Sequence, residues 1–308
     1  MPHRLPICLY LVAVLVLTSL PCQAWYHLPG EASIIPEGSR GVLMGRNRTY
    51  VIRPGETLME IARSHGLGFT ALQRANPEFD AWSPGAGREL LLPFAFLLPS
   101  EVEPGITINL AEFRLYHVWR EGARRRVRVY PTGIGSEGYD TPQGRFTIVN
   151  KIVNPSWTVP PSIRAKNPLL PAVVPPGPNN PLGEYWLGLS IPGYGIHGTN
   201  RPFGIGRRIS HGCVRLYPAD IRDLFGRVSI GTPVRIIHRP IKAAIHDDQL
   251  LVEVHTLAGP DPEGLLAEAL TRIRETGWTG PLDRDRLDLA LRQGLGIPVV
   301  VSPPDREP

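Results

Sequence analysis

Two histidines and a cysteine carry the residue types best suited to covalent chemistry: His197, His211 and Cys213. A cysteine nucleophile needs a base that takes the thiol proton and donors that stabilise an oxyanion. Either histidine can supply the base, Gly212 lets the backbone approach a reacting carbonyl, and amides near Cys213 can form the oxyanion hole. The pattern therefore predicts nucleophilic catalysis by Cys213. Three neighbouring arginines are expected to help lower the pKa of the thiol: Arg207, Arg208 and Arg215.

The spacing of these residues suggests how strands would present them. His211 stands two residues before Cys213, so in a strand both side chains would lie on one face, and His197 would come from a neighbouring strand. The alternative chemical interpretation is a metal site formed by the same three residues. It is disfavoured because no fourth ligand is evident. We expect no metal and no organic cofactor, since a thiol supplies covalent catalysis by itself.

The N-terminus predicts export. A short basic start precedes an apolar run over residues 7–20, and Cys22 and Ala24 are small residues at the two positions that a signal peptidase reads, which is typical of a cleaved signal peptide over residues 1–24. A retained anchor helix is the alternative, but the run is short of the roughly 20 residues that span a bilayer. Cys8 and Cys22 would leave with the signal. Cys213 would then be a lone thiol in an oxidising compartment, where it must be buried or chemically active.

The elements that must position the cysteine form an α+β multidomain chain. Residues 49–93 predict a small βααβ module, with a capping box that opens its first helix at Thr57 and a second box at Thr70. Residues 104–239 alternate in short runs separated by Gly or Pro, which favours a mostly β, antiparallel domain. Residues 240–308 predict a small α/β appendage with one strand and two amphipathic helices.

Two segments inside the β domain have special composition. Gly133 to Gly138 match a dinucleotide-binding pattern, but Thr141 and Pro142 follow where a helix should open, so nucleotide binding is not expected. Residues 154–181 hold nine prolines and are expected to form neither a central strand nor a helix. We predict a rigid loop packed over the domain.

Charge separates the last two regions. Residues 104–239 hold 18 Lys and Arg against 7 Asp and Glu, a balance of +11, whereas residues 240–308 hold 7 against 12, a balance of −5. A basic surface can attract nucleic acid, acidic lipid or an acidic polymer outside the cytoplasm. Export argues against nucleic acid.

The first module resembles a LysM domain, a family that binds the glycan of peptidoglycan or chitin. The resemblance rests on Tyr50-Val51-Ile52, Pro54-Gly55-Glu56-Thr57-Leu58, Ile61-Ala62, Leu72, Ala75-Asn76-Pro77, Pro84-Gly85 and Leu90-Leu91-Leu92-Pro93. Glu56 stands where the family usually has Asp.

The β domain resembles the YkuD-type L,D-transpeptidases. The residues that carry this resemblance are His197-Gly198-Thr199-Asn200 and Ser210-His211-Gly212-Cys213-Val214-Arg215. Thr141-Pro142-Gln143-Gly144-Arg145-Phe146 and residues 174–183 are similar to the periplasmic ErfK/YbiS branch, which also shares Arg215 where much of the family has Asn.

The resemblance implies roles for these positions. Cys213 matches the nucleophile that attacks the third residue of a stem tetrapeptide and releases D-Ala, and His197 matches the proton donor and acceptor. The carbonyl of Gly198 would orient His197, and His211 would support the site. The positions implied in substrate binding are Arg215, Ser210, Thr199 and Gly212.

The implied partners are peptidoglycan stem peptides and glycan strands in the periplasm. The acceptor amine stays open: a second stem would give a 3-3 cross-link, and a lysine of an outer-membrane lipoprotein would anchor that lipoprotein to the wall. With water as acceptor the enzyme would be an L,D-carboxypeptidase. The alternative from another class is a non-catalytic LysM protein that binds peptidoglycan.

Overall fold

The computed structural model describes residues 34–35, 41–100, 102–256 and 261–304. The expected signal peptide at 1–24 lies outside the described residues. Within those ranges, no helix is both long and apolar enough to cross a membrane. Separate apolar cores lie in the first module, in the large central sheet and in the C-terminal region.

The first module has the expected βααβ order, but its second helix begins earlier than predicted. Thr57 caps the first helix in the expected capping box: the Glu60 amide donates to Thr57 Oγ1 over 3.2 Å, and the Glu60 carboxylate accepts from the Thr57 amide over 3.0 Å. The second helix starts at Phe69 after Gly68, which offers no side-chain cap, so the box expected at Thr70 is wrong. The elements of this region are β1 (Ile34–Ile35), β2 (Val42–Met44), β3 (Arg48–Val51), α1 (Leu58–Ser64), α2 (Phe69–Ala75), β4 (Glu89–Leu92) and β5 (Phe96–Leu98).

The central region is built on a nine-stranded sheet. Its strands and helices are β6 (Gly105–Asn109), β7 (Arg114–Glu121), β8 (Arg124–Pro131), β9 (Ile134–Gly135), β10 (Gly144–Val153), β11 (Trp157–Thr158), α3 (Pro161–Lys166), β12 (Val173–Val174), β13 (Tyr185–Leu189), β14 (Gly195–His197), a 3₁₀ turn (Pro202–Gly204), β15 (Arg208–Ser210), β16 (Val214–Arg215), α4 (Pro218–Arg227) and β17 (Pro233–Ile237). Neighbouring strands of the large sheet run in the order β1-β8-β7-β6-β17-β10-β13-β14-β16. Most of the pairs are antiparallel as expected, but β6 with β17 and β14 with β16 are parallel.

The proline-rich segment differs from its prediction in two ways. It contains the short helix α3, because a proline at the first helical position loses no hydrogen bond there. It also projects apolar side chains into solvent, with Leu169 95% exposed, so it is not packed over the domain along its length. Asn180 connects the two ends of this segment: its buried side-chain amide donates to the carbonyl of Pro155 over 2.8 Å.

The C-terminal region is a three-stranded antiparallel sheet covered by two helices. Both predicted helices are present, but the prediction of a single strand is wrong, because two further strands pair with it. Both helices begin at an Asp whose side chain accepts an amide of the first turn, and both end at a left-handed Gly. The elements are β18 (Ile241–His246), β19 (Gln249–Val254), α5 (Pro262–Thr276), α6 (Arg284–Gln293) and β20 (Pro298–Val300).

A buried ionic cluster joins this region to the central sheet. Glu112 precedes β7 and Glu253 lies on β19, and both carboxylates contact Arg114 and Lys242 over 2.6–3.1 Å. His255 Nε2 lies 2.7 Å from Glu253. Lys242 also donates to the carbonyl of Leu97 on β5 over 2.7 Å. All five side chains that bear an ionisable group are at most 5% exposed, so the charges are screened by one another and not by water.

Candidate active site

The parallel pairing of β14 with β16 brings the predicted residues together. Ile196 pairs with Val214 and His197 with Arg215, so the side chains of His197 and Arg215 lie on the same face of the sheet. Cys213 precedes β16 by one residue and stands opposite Gly195 in this register. The prediction that His197 comes from a neighbouring strand is therefore correct.

A tight turn carries the cysteine. Ser210 Oγ donates to the Cys213 carbonyl over 2.5 Å and accepts the Gly212 amide over 3.1 Å. Gly212 has a φ of +102°, and a Cβ there would lie 2.6 Å from the ring of Tyr194. The expectation that His211 and Cys213 share one face of a strand is therefore wrong, because neither residue lies in a strand and the left-handed Gly212 turns the chain between them.

Thr141, which is distant from this turn in sequence, stabilises it by hydrogen bonding. Its hydroxyl donates to the Gly212 carbonyl over 2.8 Å and accepts the Gly135 amide over 2.9 Å. Thr141 is buried, so both bonds are shielded from water. The sequence around Thr141 argues against nucleotide binding and carries part of the family resemblance, but it does not reveal this contact with the turn.

His197 is held in one tautomer. Its Nδ1 lies 2.7 Å from the carbonyl of Gly198, and because a carbonyl can only accept, Nδ1 carries the proton. In the neutral ring Nε2 is then free of a proton and able to accept one. Burial, helped by the nearby charge of Arg215, lowers the pKa of His197 to about 3, so the ring is neutral at pH 7.

Trp186 is a contact of His197 that the sequence did not reveal. The two residues pair across β13 and β14, and their rings stack with centroids 5.7 Å apart at an interplanar angle of 24°. Asn150 Oδ1 accepts the indole N–H of Trp186 over 3.1 Å. The period of the strand could have placed Trp186 on the face of His197 only if the register of β13 had been known.

Cys213 is a half-buried free thiol. Burial raises its pKa above the ordinary value, although a hydrogen bond from the Gly195 amide and the charge of Arg215 oppose this shift. The prediction of a lowered pKa is therefore wrong. Of the three arginines expected to lower it, Arg207 lies over the Phe69 ring and Arg208 pairs with Asp140.

His211 differs from His197 and Cys213 in its exposure to solvent. It is exposed, and its ring meets the edge of Tyr139 with centroids 4.6 Å apart. Lys166 of α3 donates to the Tyr139 hydroxyl, which connects the proline-rich segment to this side of the site. Burial, with Arg215 and Lys166 adding to it, lowers the pKa of His211.

The remaining predicted positions have contacts within the chain. Thr199 is buried, and its hydroxyl accepts the Arg201 amide over 2.9 Å. Among the described residues, the ligand atoms of His197, His211 and Cys213 do not form a group within 4.8 Å, whereas those of Glu112, Glu253 and His255 do. The metal interpretation of the catalytic motif therefore has no geometric support.

Comparison with known proteins assigns the family. The model of the YkuD L,D-transpeptidase catalytic domain matches residues 103–236, and that of the LysM domain matches residues 50–93. "Probable L,D-transpeptidase YcfS" of Escherichia coli K12 is 44% identical over 241 residues, 74% of each chain. "Probable L,D-transpeptidase YbiS" of the same strain is 39% identical over 302 residues, 93% of this chain and 95% of that one. The crystal structure of an L,D-transpeptidase from Stackebrandtia nassauensis matches 59% of this chain and 74% of that one at 20% identity, with a TM-score of 0.35.

The chain thus belongs to the L,D-transpeptidases, acyltransferases that act on peptidoglycan. The resemblance to the branch that includes YbiS is confirmed, and so are the LysM module and the mostly β catalytic domain.

Proposed function

We propose that Cys213 is the nucleophile of this L,D-transpeptidase and that His197 is its proton acceptor and donor. The observation that carries the proposal is the β14–β16 pairing, which sets Cys213 beside Gly195 and His197 beside Arg215 on one face. The Gly198 carbonyl fixes the His197 ring with Nε2 unprotonated. A raised thiol pKa beside a neutral imidazole makes the resting pair neutral, so the thiol proton moves to Nε2 as the sulfur attacks.

The reaction has two balanced halves. The sulfur bonds to the carbonyl carbon of the third stem residue, and His197 takes the thiol proton and returns it to the nitrogen of D-Ala as that C–N bond breaks. The acceptor amine then attacks the thioester, His197 takes its proton, and the C–S bond breaks with return of the proton to sulfur. We propose the Cys213 amide as an oxyanion donor, since the Gly212 amide already donates to Ser210.

The other site residues either shape the site or are placed to contact the substrate. Ser210 and Thr199 use their hydroxyls on the backbone of the site, which supports a role in shaping it and not in touching substrate. Gly212 shapes the turn through its left-handed backbone. Arg215 faces the same side as His197, and a guanidinium there can pair with a carboxylate of the donor stem. His211, exposed at the edge, would support the entry side.

We propose that the catalytic domain comprises residues 104–239, flanked by the LysM module at 49–93 and the appendage at 240–308. The LysM module would hold glycan strands while the stem enters the site. The expected signal peptide supports action in the periplasm. Both amine acceptors, a second stem and a lipoprotein lysine, suit this location, and water would give the carboxypeptidase.

The test is intact-protein mass spectrometry after incubation with a disaccharide-tetrapeptide. We expect an adduct equal to the donor minus D-Ala on the wild-type chain, none on Cys213→Ala, and a slow appearance on His197→Ala. Addition of a stem amine or a lysine peptide would then discharge the adduct and identify the acceptor. Folded wild-type protein with neither an adduct nor released D-Ala would contradict the assignment.

A further inference from the structure

The LysM module contacts the catalytic domain at one particular segment, residues 201–207. This segment joins the strand that ends at His197 to β15, which leads into the turn with Cys213. The contact is made by the N-terminus of α2, whose Gly68 supplies no side-chain cap. The amide of Phe69 donates to the carbonyl of Ile205 over 3.1 Å, and the amide of Thr70 donates to the carbonyl of Gly206 over 3.3 Å. The catalytic domain therefore caps a helix of the LysM module.

The two backbones meet at a pair of glycines. Gly206 has a φ of +83°, and a Cβ on it would lie 2.3 Å from the amide nitrogen of Phe69. A Cβ on Gly68 would lie 3.0 Å from the Cα of Gly206. Side chains add to this contact around its edge. Arg63 lies over the Phe203 ring at 5.1 Å, Arg207 over the Phe69 ring at 5.6 Å, and Tyr217 donates to the carbonyl of Leu67 over 3.0 Å.

The segment is also hydrogen-bonded to the chain between the end of β8 and the start of β9. The Gly206 amide donates to the carbonyl of Thr132 over 2.9 Å, and the Ile134 amide donates to that of Arg207 over 3.0 Å. Farther along, the Ser136 amide donates to the carbonyl of Ser210, which begins the turn that holds Cys213. The segment thus has hydrogen bonds both to the LysM module and to residues 132–134, whose Gly133 pairs with Arg215 beside Cys213.

We propose that the LysM module is a positioning element of the active site. By holding residues 201–207 it fixes the turn with Cys213 relative to His197, so acyl transfer from a donor without any glycan also depends on the module. This inference rests on the proposed nucleophile. It assigns the module a second task besides the binding of glycan.

The test substitutes Gly68→Val in the full chain, with Gln73→Val as the matched control. Gly68 has an extended backbone that valine adopts without strain, so the substitution acts on the contact with Gly206. Gln73 is an exposed residue of the same helix. Tyr217→Phe removes only the hydroxyl that contacts Leu67 and tests the interface from the catalytic side.

The readouts are the rate of adduct formation with a sugar-free tetrapeptide and hydrogen exchange of residues 201–210. We expect Gly68→Val to lower kcat by about tenfold with KM within about twofold, because misplacement of reacting groups costs rate. Exchange in the segment should become faster, Tyr217→Phe should show the same changes to a smaller degree, and Gln73→Val should match the wild type.

Two outcomes would overturn the proposal. Faster exchange with unchanged kcat would mean that the order of the segment does not matter for transfer, and unchanged exchange in both interface variants would mean that the module does not hold it. Absence of an adduct on the wild-type chain would instead contradict the proposed nucleophile, and the exchange data would still report on the interface.

Discussion

Two clusters of ionisable residues, one between the central sheet and the C-terminal region and one at the active site, differ in how their charges are balanced. In the cluster under the appendage, each of the carboxylates Glu112 and Glu253 contacts both Arg114 and Lys242. At the active site, His197 and Cys213 have backbone carbonyls as hydrogen-bond partners, those of Gly198 and Gly193. In the buried cluster every carboxylate is neutralised by cations, whereas His197 and Cys213 at the active site can still exchange a proton.

The pKa directions follow from this difference. Burial raises the pKa of Glu253, but the charge of Lys242 and the bond from His255 outweigh it, so the pKa is lowered and the carboxylate stays ionised. At Cys213 the effect of burial on the pKa is larger than the opposing effects of the Gly195 amide and the Arg215 charge, so the thiol stays protonated. The paired cluster is therefore suited to stability, while the unpaired one is suited to proton transfer.

The same comparison explains why the ligand-like spacing of Glu112, Glu253 and His255 does not argue for a metal. Their ligand atoms lie within 4.8 Å of one another, as a site would require. However, an ammonium and a guanidinium already neutralise both carboxylates. A divalent ion would have to displace Lys242 or Arg114 from positions with almost no access to water.

The substitution His197→Gln at the active site is expected to have the largest effect, and this effect should fall on activity more than on stability. Loss of the proton acceptor should lower kcat/KM for a tetrapeptide donor by about 10²- to 10⁴-fold, the usual contribution of general acid–base catalysis. The melting temperature should fall less than in Glu253→Gln, since loss of the His197 ring leaves no buried charge without its counter-charge. Rates of D-Ala release and thermal unfolding measure the two effects. A normal rate in the folded variant would remove His197 from the mechanism.

The reverse result is expected from Glu253→Gln. Removal of one partner of a buried ion pair should lower the free energy of unfolding by about 3–5 kcal/mol, because Arg114 and Lys242 lose a counter-charge inside the protein. Denaturant unfolding measures this. The exposed pair Arg222–Glu184 offers a control, Glu184→Gln, which should have an effect below about 1 kcal/mol. Equal effects of both variants would contradict the comparison.

The buried cluster also predicts how stability depends on pH. Although burial favours the neutral acids, the cations lower the pKa of both Glu112 and Glu253 in the folded chain. A lowered folded pKa gives stability that is present above the unfolded value of about 4.3 and is lost as the pH falls below it. Urea midpoints between pH 7 and pH 3 should therefore fall, and less steeply in Glu253→Gln. Parallel curves would show that other groups govern acid unfolding.

Features of the fold that depend on local patterns could be predicted from the sequence. The capping box at Thr57, the appendage helices and the motif around Cys213 all depend on neighbouring residues and were predicted from them. The start of α2 was missed because its cap comes from Ile205 and Gly206, far away along the chain. No local signal encodes a partner supplied by another domain.

The site shows the same limit. Cys213 and His197 could be chosen by residue type, but the direction of the thiol pKa depends on burial, which the flanking arginines did not reveal. Trp186 and Thr141 contact the motif through the strand register and a turn, and neither follows from spacing in sequence. The buried ionic cluster was not predicted because its members come from two stretches of the chain that lie more than a hundred residues apart.

A smaller effect is expected in the reactivity of the thiol. Because burial raises its pKa, Cys213 should react with iodoacetamide at pH 7 more slowly than free cysteine, and the rate should rise with pH beyond about 8.5. Mass spectrometry of the alkylated chain gives the rate at each pH, and Cys213→Ala corrects for other sites. A plateau below pH 7 would indicate a thiolate and would make the resting site an ion pair like the buried cluster.

The smallest expected effect is that of salt, which should weaken donor binding to the catalytic region but leave the buried cluster unchanged. The catalytic region has an excess of basic residues, and the anionic stem meets those at its surface, where ions screen the attraction. Raising the salt from about 0.05 to 0.5 M should lower kcat/KM about threefold, mainly through KM. The buried cluster is shielded from solvent ions, so the stability difference between the wild type and Glu253→Gln should not change over the same range. An unchanged kcat/KM would show that surface charge does not attract the donor, and a salt-dependent stability difference would show that water reaches the cluster.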